Sequence, residues 1–200
     1  MSESSKSRRN VRQKMESDEI AFRLHLSFMQ EHYDLPNGFV WGLKDESDWA
    51  FVIKLHALFE ALVTELLLAE LGREELQNLA EHMELSAKPV GKLEACRSLG
   101  ILKDEEVKFI RKLSEIRNRV VHNIREVNFG FAAYFEKLDE QQFHSLVDAL
   151  GFGIKSEIII DGKKITKRDQ FRDNPKHTIF VASLNLMFTI QERRITKKHP

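Results

Sequence analysis

The chain of 200 residues contains a single cysteine, Cys96, so no intrachain disulfide can form. Stability must therefore come from a hydrophobic core, for which a hydrophobic content of 42% is sufficient. No apolar run approaches the ~20 residues that a membrane-spanning helix needs. The first residues are polar and basic, and they lack the apolar segment of a secretory signal. These absences predict a cytoplasmic protein without a membrane partner.

The sequence motifs of several common enzyme classes are also absent. The chain has no glycine-rich phosphate loop, no H-E-x-x-H or G-x-S-x-G pattern, and no Cys/His cluster at zinc-binding spacing. We therefore expect neither a metal ion nor a cofactor. The only enzymatic mechanism for which residues are present is one that relies on side chains alone.

The net charge of zero hides an uneven distribution of charge along the chain. Residues 1–14 carry five Lys or Arg and residues 193–200 carry four, which leaves an acidic middle. An acidic body disfavours a broad phosphate-binding surface, so any nucleic acid would have to contact the basic ends or a local patch. The ends are either solvated tails or guides for nucleic acid, and their composition favours tails.

Hydrophobic periodicity predicts a mainly α fold. Apolar residues at spacings of three and four predict helices over residues 17–33, 48–71, 73–83, 89–100, 104–123, 139–150 and 175–194. Two β-rich runs around Asp161-Gly162 predict a small β-hairpin over 157–166. We expect a disordered basic tail over 1–15, then a single helical domain over 16–200 with its bundle core at about 48–123.

The helix predicted over 104–123 ends in an unusual turn. Asp104 is its expected N-cap and Asn123 its expected end. A buried stripe is expected from Val107, Ile110, Leu113, Ile116 and Val120. The last turn then gathers the polar residues Arg117, Asn118, Arg119 and His122. These side chains either complement the negative end of the helix dipole or form a functional site.

The pattern Arg117-Asn118-x-x-x-His122, late in a helix with an apolar stripe, resembles the R-polar-x(3)-H motif of the HEPN superfamily. The preceding order is similar to that of mannitol-operon-repressor-like proteins, which themselves look HEPN-like, and it consists of Gly91-Lys92-Leu93, Leu99-Gly100-Ile101-Leu102 and Ile116-Arg117-Asn118. The resemblance covers roughly residues 48–123. It implies a HEPN-like helical bundle and a homodimer whose two copies of the motif line a shared groove.

Two functions are consistent with this resemblance. The first is a metal-independent endoribonuclease, in which His122 takes the proton of an RNA 2′-hydroxyl and Arg117 stabilises the charged phosphorus centre. Asn118 would orient the imidazole, and Arg111, Arg119 and Arg125 would contact nucleic acid. The alternative is a non-catalytic regulatory protein that binds a nucleotide or a protein partner, such as an antitoxin.

Two geometric expectations accompany these functions. Arg117 and His122 are five residues apart, which is about 140° around an ideal helix, so they flank one face without touching. Glu60 interrupts the apolar stripe of the helix predicted over 48–71. Its side chain either faces the Arg117 region as a buried partner or points to solvent, and the pattern slightly favours solvent.

Overall fold

The computed structural model describes residues 27, 30, 31, 33–160 and 163–198, with the side chains of 74, 160 and 194–198 left undescribed. The predicted tail, most of the helix predicted over 17–33 and the hairpin turn at 161–162 lie outside these residues. The chain divides into two compact units, Met1–Leu43 and Lys44–Pro200. The extent of a single domain over 16–200 stays a prediction.

The described residues are mainly helical with one small hairpin, which confirms the predicted fold class. The α-helices are α1 (Phe39–Gly42), α2 (Asp48–Leu71), α3 (Gln77–His82), α4 (Lys92–Ser98), α5 (Asp104–His122), α6 (Phe131–Glu136), α7 (Glu140–Leu150), α8 (Lys167–Asp173) and α9 (Pro175–Lys198). Short 3-10 helices cover Leu43–Asp45, Glu74–Leu76 and Ile124–Asn128. Strands β1 (Glu157–Ile160) and β2 (Lys163–Thr166) pair antiparallel, with Ile158 opposite Ile165.

In the first unit, the described residues end in the short helix α1. The sequence Pro36-Asn37-Gly38 predicts a break after the preceding helix. The amide of Phe39 donates to the carbonyl of Pro36 over 2.9 Å, which closes a turn at this point. Gly38 has a φ of 78°, a conformation that glycine adopts without steric cost. The sequence of 39–46 shows no helical periodicity and was predicted to be a loop, but the part of it that forms α1 is helical.

Helix α5 is the centre of the second unit and packs against α2, α4 and α7. Its predicted stripe is confirmed, because all five apolar side chains are at most 2% exposed. The predicted N-cap is wrong by one residue. Lys103 caps the helix, and its amide donates to the Glu106 carboxylate over 2.8 Å. Asn123 follows the last helical residue, as expected.

The Glu106 carboxylate also joins the start of α5 to α9. It is fully buried and accepts two hydrogen bonds from the Arg193 guanidinium, one of them 3.1 Å long. Arg193 further donates to the carbonyl of Ile101 over 2.7 Å. These bonds fix the helix that carries the motif to the long C-terminal helix.

Helix α2 is the main partner of α5, and its bounds match the range predicted from the sequence. The sequence offered Ser47 or Asp48 as its cap and Gly72 as its end. Ser47 caps it by accepting from the amide of Ala50 over 3.2 Å, and Gly72 ends it with a φ of 60°. The stripe predicted for this helix is buried and consists of Val52, Leu55, Phe59, Leu62, Val63, Leu66 and Leu67.

Two predictions around α4 are wrong. Pro89 was expected to open the helix, which instead begins at Lys92. The amides of Lys92 and Leu93 donate to the carbonyls of Glu84 and Leu85, both over 3.0 Å, so the segment before α4 folds into a turn. The helix was expected to carry Leu99 and to end at Gly100, but it ends at Ser98, and Leu99 is 47% exposed. Within the described residues, no helix is both long and apolar enough to cross a membrane.

Candidate functional site

The last turns of α5 place the predicted site residues at different depths. Arg117 is half-buried, whereas Asn118 and His122 are exposed. Arg117 Nη1 donates to Asn118 Oδ1 over 3.0 Å, so the amide of Asn118 orients the arginine. The backbone of this turn is held from α2, because Trp49 Nε1 donates to the carbonyl of Val120 over 3.3 Å.

The His122 imidazole faces solvent at the very end of α5. Among the described residues, none forms a hydrogen bond or an ion pair with it. The helix is regular from Asp104 to His122, so Asn118 and His122 share one face and Arg117 lies about 140° away. One chain therefore does not bring Arg117 and His122 to the same point.

The three arginines predicted to contact nucleic acid differ in how they are held. Arg119 donates from Nε and Nη2 to Glu126 Oε1, over 3.1 and 3.0 Å, and its guanidinium lies 5.0 Å from the centre of the Tyr134 ring. Arg111 pairs with Glu94 on α4. Arg125 is exposed. A phosphate would have to compete with a carboxylate at two of these three side chains.

A polar cluster that sequence reasoning missed lies between α2, α4 and α5. His56 is 7% exposed, and its Nε2 lies 3.1 Å from Ser114 Oγ. Its Nδ1 lies 3.9 Å from Glu60 Oε2, and Lys92 Nζ lies 3.8 Å from Glu60 Oε1. Lys92 is 3% exposed and also donates to Thr64 Oγ1 over 2.8 Å. The sequence signal was a histidine inside the apolar stripe of α2, four residues before a glutamate.

The hydrogen bonds of this cluster define the state of His56. Ser114 Oγ donates to the carbonyl of Ile110 over 3.0 Å, so it is free to accept from His56 Nε2. The pKa of His56 is lowered from 6.5 chiefly by burial, raised in part by Glu60 and lowered further by Arg117. At neutral pH His56 is therefore uncharged, and Ser114 Oγ is placed to accept from Nε2 in the tautomer that carries its proton there.

Neither expectation for Glu60 is met in full. Its side chain is 40% exposed, so it is not a buried partner, yet its carboxylate lies beside His56 and Lys92 rather than in open solvent. The charges of both Glu60 and Arg117 act on the pKa of His56.

An apolar patch adjoins the motif. We call it the motif patch; its members are Val121, Ile124 and Val127, which are 40%, 90% and 60% exposed. Val121 lies in the last turn of α5, whereas Ile124 and Val127 lie three residues apart in the 3-10 helix that follows. Asn123 stabilises the start of this 3-10 helix by accepting from the amide of Arg125 over 3.1 Å. Exposed apolar side chains that lie near one another in sequence, as these do, are candidates for an interaction surface.

Within the described residues, no three His, Cys, Asp or Glu side chains are grouped so that they could hold a metal ion. The chain was compared with models of protein families, with curated proteins and with solved structures, and none of the three comparisons found a match.

Proposed function

We propose that this protein is a metal-independent endoribonuclease that acts as a homodimer through the end of α5. The observation that carries the proposal is the position of the motif residues beside the motif patch. Arg117 and His122 lie about 140° apart around α5, so one chain alone does not bring them together. The exposed apolar patch next to them gives a second copy a surface to bind.

The proposed chemistry uses the residue types that the helix end presents. His122 takes the proton of a 2′-hydroxyl, and the resulting oxygen attacks the adjacent phosphorus. The bond from phosphorus to the 5′-oxygen breaks, and that oxygen takes a proton from a protonated imidazole in the shared groove. Arg117, oriented by Asn118, holds the charged phosphorus centre with its planar fork of donors. The products are a 2′,3′-cyclic phosphate and a 5′-hydroxyl.

A second candidate is a non-catalytic regulatory protein that binds a partner through the motif patch. It is favoured by the engagement of Arg111 and Arg119 with Glu94 and Glu126, which reduces the positive charge that RNA would meet. The resemblance to mannitol-operon-repressor-like proteins supports the same function. The two candidates differ in whether the purified protein cuts RNA.

The test is a cleavage assay on purified protein with mixed RNAs and a metal chelator. We expect His122→Ala to lower the cleavage rate by about 10²–10⁴ and to leave RNA affinity nearly unchanged, because it removes a proton acceptor and no charge contact. Arg117→Ala should lower both rate and affinity. The matched control is His82→Ala, because His82 is also the exposed last residue of a helix.

The dimer is tested with Ile124→Asp, which places a charge in the motif patch. We expect light scattering to show a dimer for the wild type and a monomer for this variant, with cleavage lost in the monomer. A wild-type monomer that cuts RNA at full rate would contradict the shared groove. A wild-type dimer that leaves RNA intact would favour the regulatory function.

A further inference from the structure

A second feature of unit Lys44–Pro200 is a cleft between α4, α5 and α7, on the outer side of α5. Its volume is about 520 Å³, a size suited to part of a ligand chain rather than to a folded protein. We call it the cationic cleft. The basic side chains that line it are Lys88, Arg97, Lys108, Arg111 and Lys112. The acidic ones are Glu94, Asp104 and Glu115, so the lining has an excess of positive charge.

The ion pairs in the cleft do not use all of this positive charge. Glu94 is shared, because Arg97 Nη2 lies 2.9 Å from its carboxylate and Arg111 pairs with its other oxygen. Arg111 Nε is buried and has no acceptor among the described residues. Lys88 is exposed at the rim, and no ion pair to it is formed within the described part of the chain. Arg97 Nη1 also lies 3.8 Å from Asp104 Oδ1, while Lys112 pairs with Glu115 and Lys108 with Asp148. Five cations therefore meet four carboxylates, and Lys88 is the cation that no described carboxylate pairs.

The cleft continues along the seam between α5 and α7. A second cavity of about 520 Å³ shares Lys112 and Ser145 with it. This cavity is lined by the ring of Tyr134 and by Gln141 and Gln142. An aromatic ring and amide side chains are groups that contact unpaired bases, whereas the basic cleft beside them suits phosphates.

The cleft also lies on the face of α5 that carries His122. Positions 111, 115, 118 and 122 are spaced by four, three and four residues, which keeps them within about 40° of one line along the helix. Arg111 and His122 are separated by a rise of about 16 Å along this face. A ligand polymer with regularly spaced negative charges that lies along this face would run from the cleft to the His122 imidazole.

From this arrangement we infer that the cationic cleft binds the phosphate backbone of single-stranded RNA and leads the strand toward His122. The inference rests on the proposed ribonuclease function and assigns its substrate class. A single strand fits because a cleft of this volume between helices cannot admit a duplex. The bases of a single strand, unlike those of a duplex, also present their faces and edges to aromatic and amide side chains.

The test measures the affinity of a labelled twelve-nucleotide single-stranded RNA by fluorescence anisotropy over a range of salt concentrations. Arg97→Gln and Lys88→Gln each remove one cation from the rim of the cleft. We expect each to weaken binding by up to about tenfold and to lower the slope of log affinity against log salt by about 0.7. The double variant should lower the slope by about 1.4.

Arg172→Gln is the matched control. Arg172 is 53% exposed and paired with Glu140, much as Arg97 is 50% exposed and paired with Glu94, but it does not line the cleft. We expect this variant to bind RNA as the wild type does. Unchanged affinity in both cleft variants, or an equal loss in Arg172→Gln, would overturn the inference.

Two further measurements distinguish RNA from small phosphorylated ligands, and RNA binding from RNA cleavage. Adenosine monophosphate that competes as tightly as the RNA would assign the cleft to small phosphorylated molecules and overturn the RNA assignment; a much weaker competition supports it. If the wild type cleaves RNA but the cleft variants bind RNA as the wild type does, the RNA-binding role of the cleft is refuted and the ribonuclease function stands. If the cleft variants bind RNA more weakly but the wild type does not cleave it, the RNA-binding role of the cleft is supported and only the ribonuclease function is refuted.

Discussion

Removing Arg193 from its buried partner tests how α5 is held in place. Arg193→Met keeps a long side chain but leaves the fully buried Glu106 carboxylate with only the Lys103 amide among the bonds described above. Loss of one partner of a buried ion pair typically costs about 3–5 kcal/mol, because the remaining charge is uncompensated. The Arg193 side chain is 23% exposed, so water can reach the site in the variant. We therefore expect the lower end, about 3 kcal/mol.

For a protein of this size, about 3 kcal/mol corresponds to a fall in melting temperature of roughly 6–12 °C. The free energy of unfolding is measured by urea denaturation, and the melting temperature by differential scanning calorimetry. The matched control is Lys54→Met, which removes an ion pair with Glu46 in which both side chains are at least one-third exposed. Exposed pairs contribute about 0–1 kcal/mol, so we expect little change.

A double variant separates the ion pair from simple loss of packing. Glu106→Leu combined with Arg193→Met removes both charges, and such replacements are often neutral or stabilising. We expect the double variant to be more stable than Arg193→Met alone. The reasoning is refuted if Arg193→Met lowers the free energy of unfolding by less than about 1 kcal/mol. It is also refuted if the loss in the double variant equals the sum of the losses in Arg193→Met and Glu106→Leu alone, because the pair then does not compensate a buried charge.

Two other predictions concern titratable side chains of the core. His56 has a lowered pKa when folded, so the unfolded chain binds the extra proton, and the free energy of unfolding should fall as the pH decreases below 6.5 toward the folded pKa. His56→Gln should flatten that decrease in urea denaturation series from pH 7.5 to 5, and an unchanged slope would contradict the assignment. Burial raises the pKa of the Cys96 thiol to about 12, so a thiol reagent should label one cysteine in denaturant and almost none in the native protein at pH 8. Rapid native labelling would show that Cys96 is accessible.

The helices that the sequence predicted well were those with strong local signals. In α2, the Ser47 cap, the Gly72 end and the apolar stripe all lie within one continuous segment, so the pattern alone determines the element. The stripe of α5 was predicted for the same reason. The hairpin was predicted from two β-rich runs that flank a two-residue turn.

The start of α4 depended on contacts outside the local pattern. Pro89 is compatible with a helix start, but the amides at positions 92 and 93 find carbonyl acceptors at Glu84 and Leu85. The cap of α5 is Lys103 because the Glu106 carboxylate accepts a hydrogen bond from the Lys103 amide. Arg193, which is 87 residues away in sequence, holds that carboxylate in place. Such long-range partners do not appear in local spacing.

The candidate site divides in the same way. The sequence by itself determined that Arg117, Asn118 and His122 lie at the end of one helix and that Arg117 points about 140° away from His122, because helix geometry fixes both. Only the tertiary structure decided what surrounds them. It placed His56, Glu60 and Lys92 in one polar cluster, paired Arg111 with Glu94, and opened the cationic cleft, because these contacts join helices that are distant in sequence and depend on how the bundle packs.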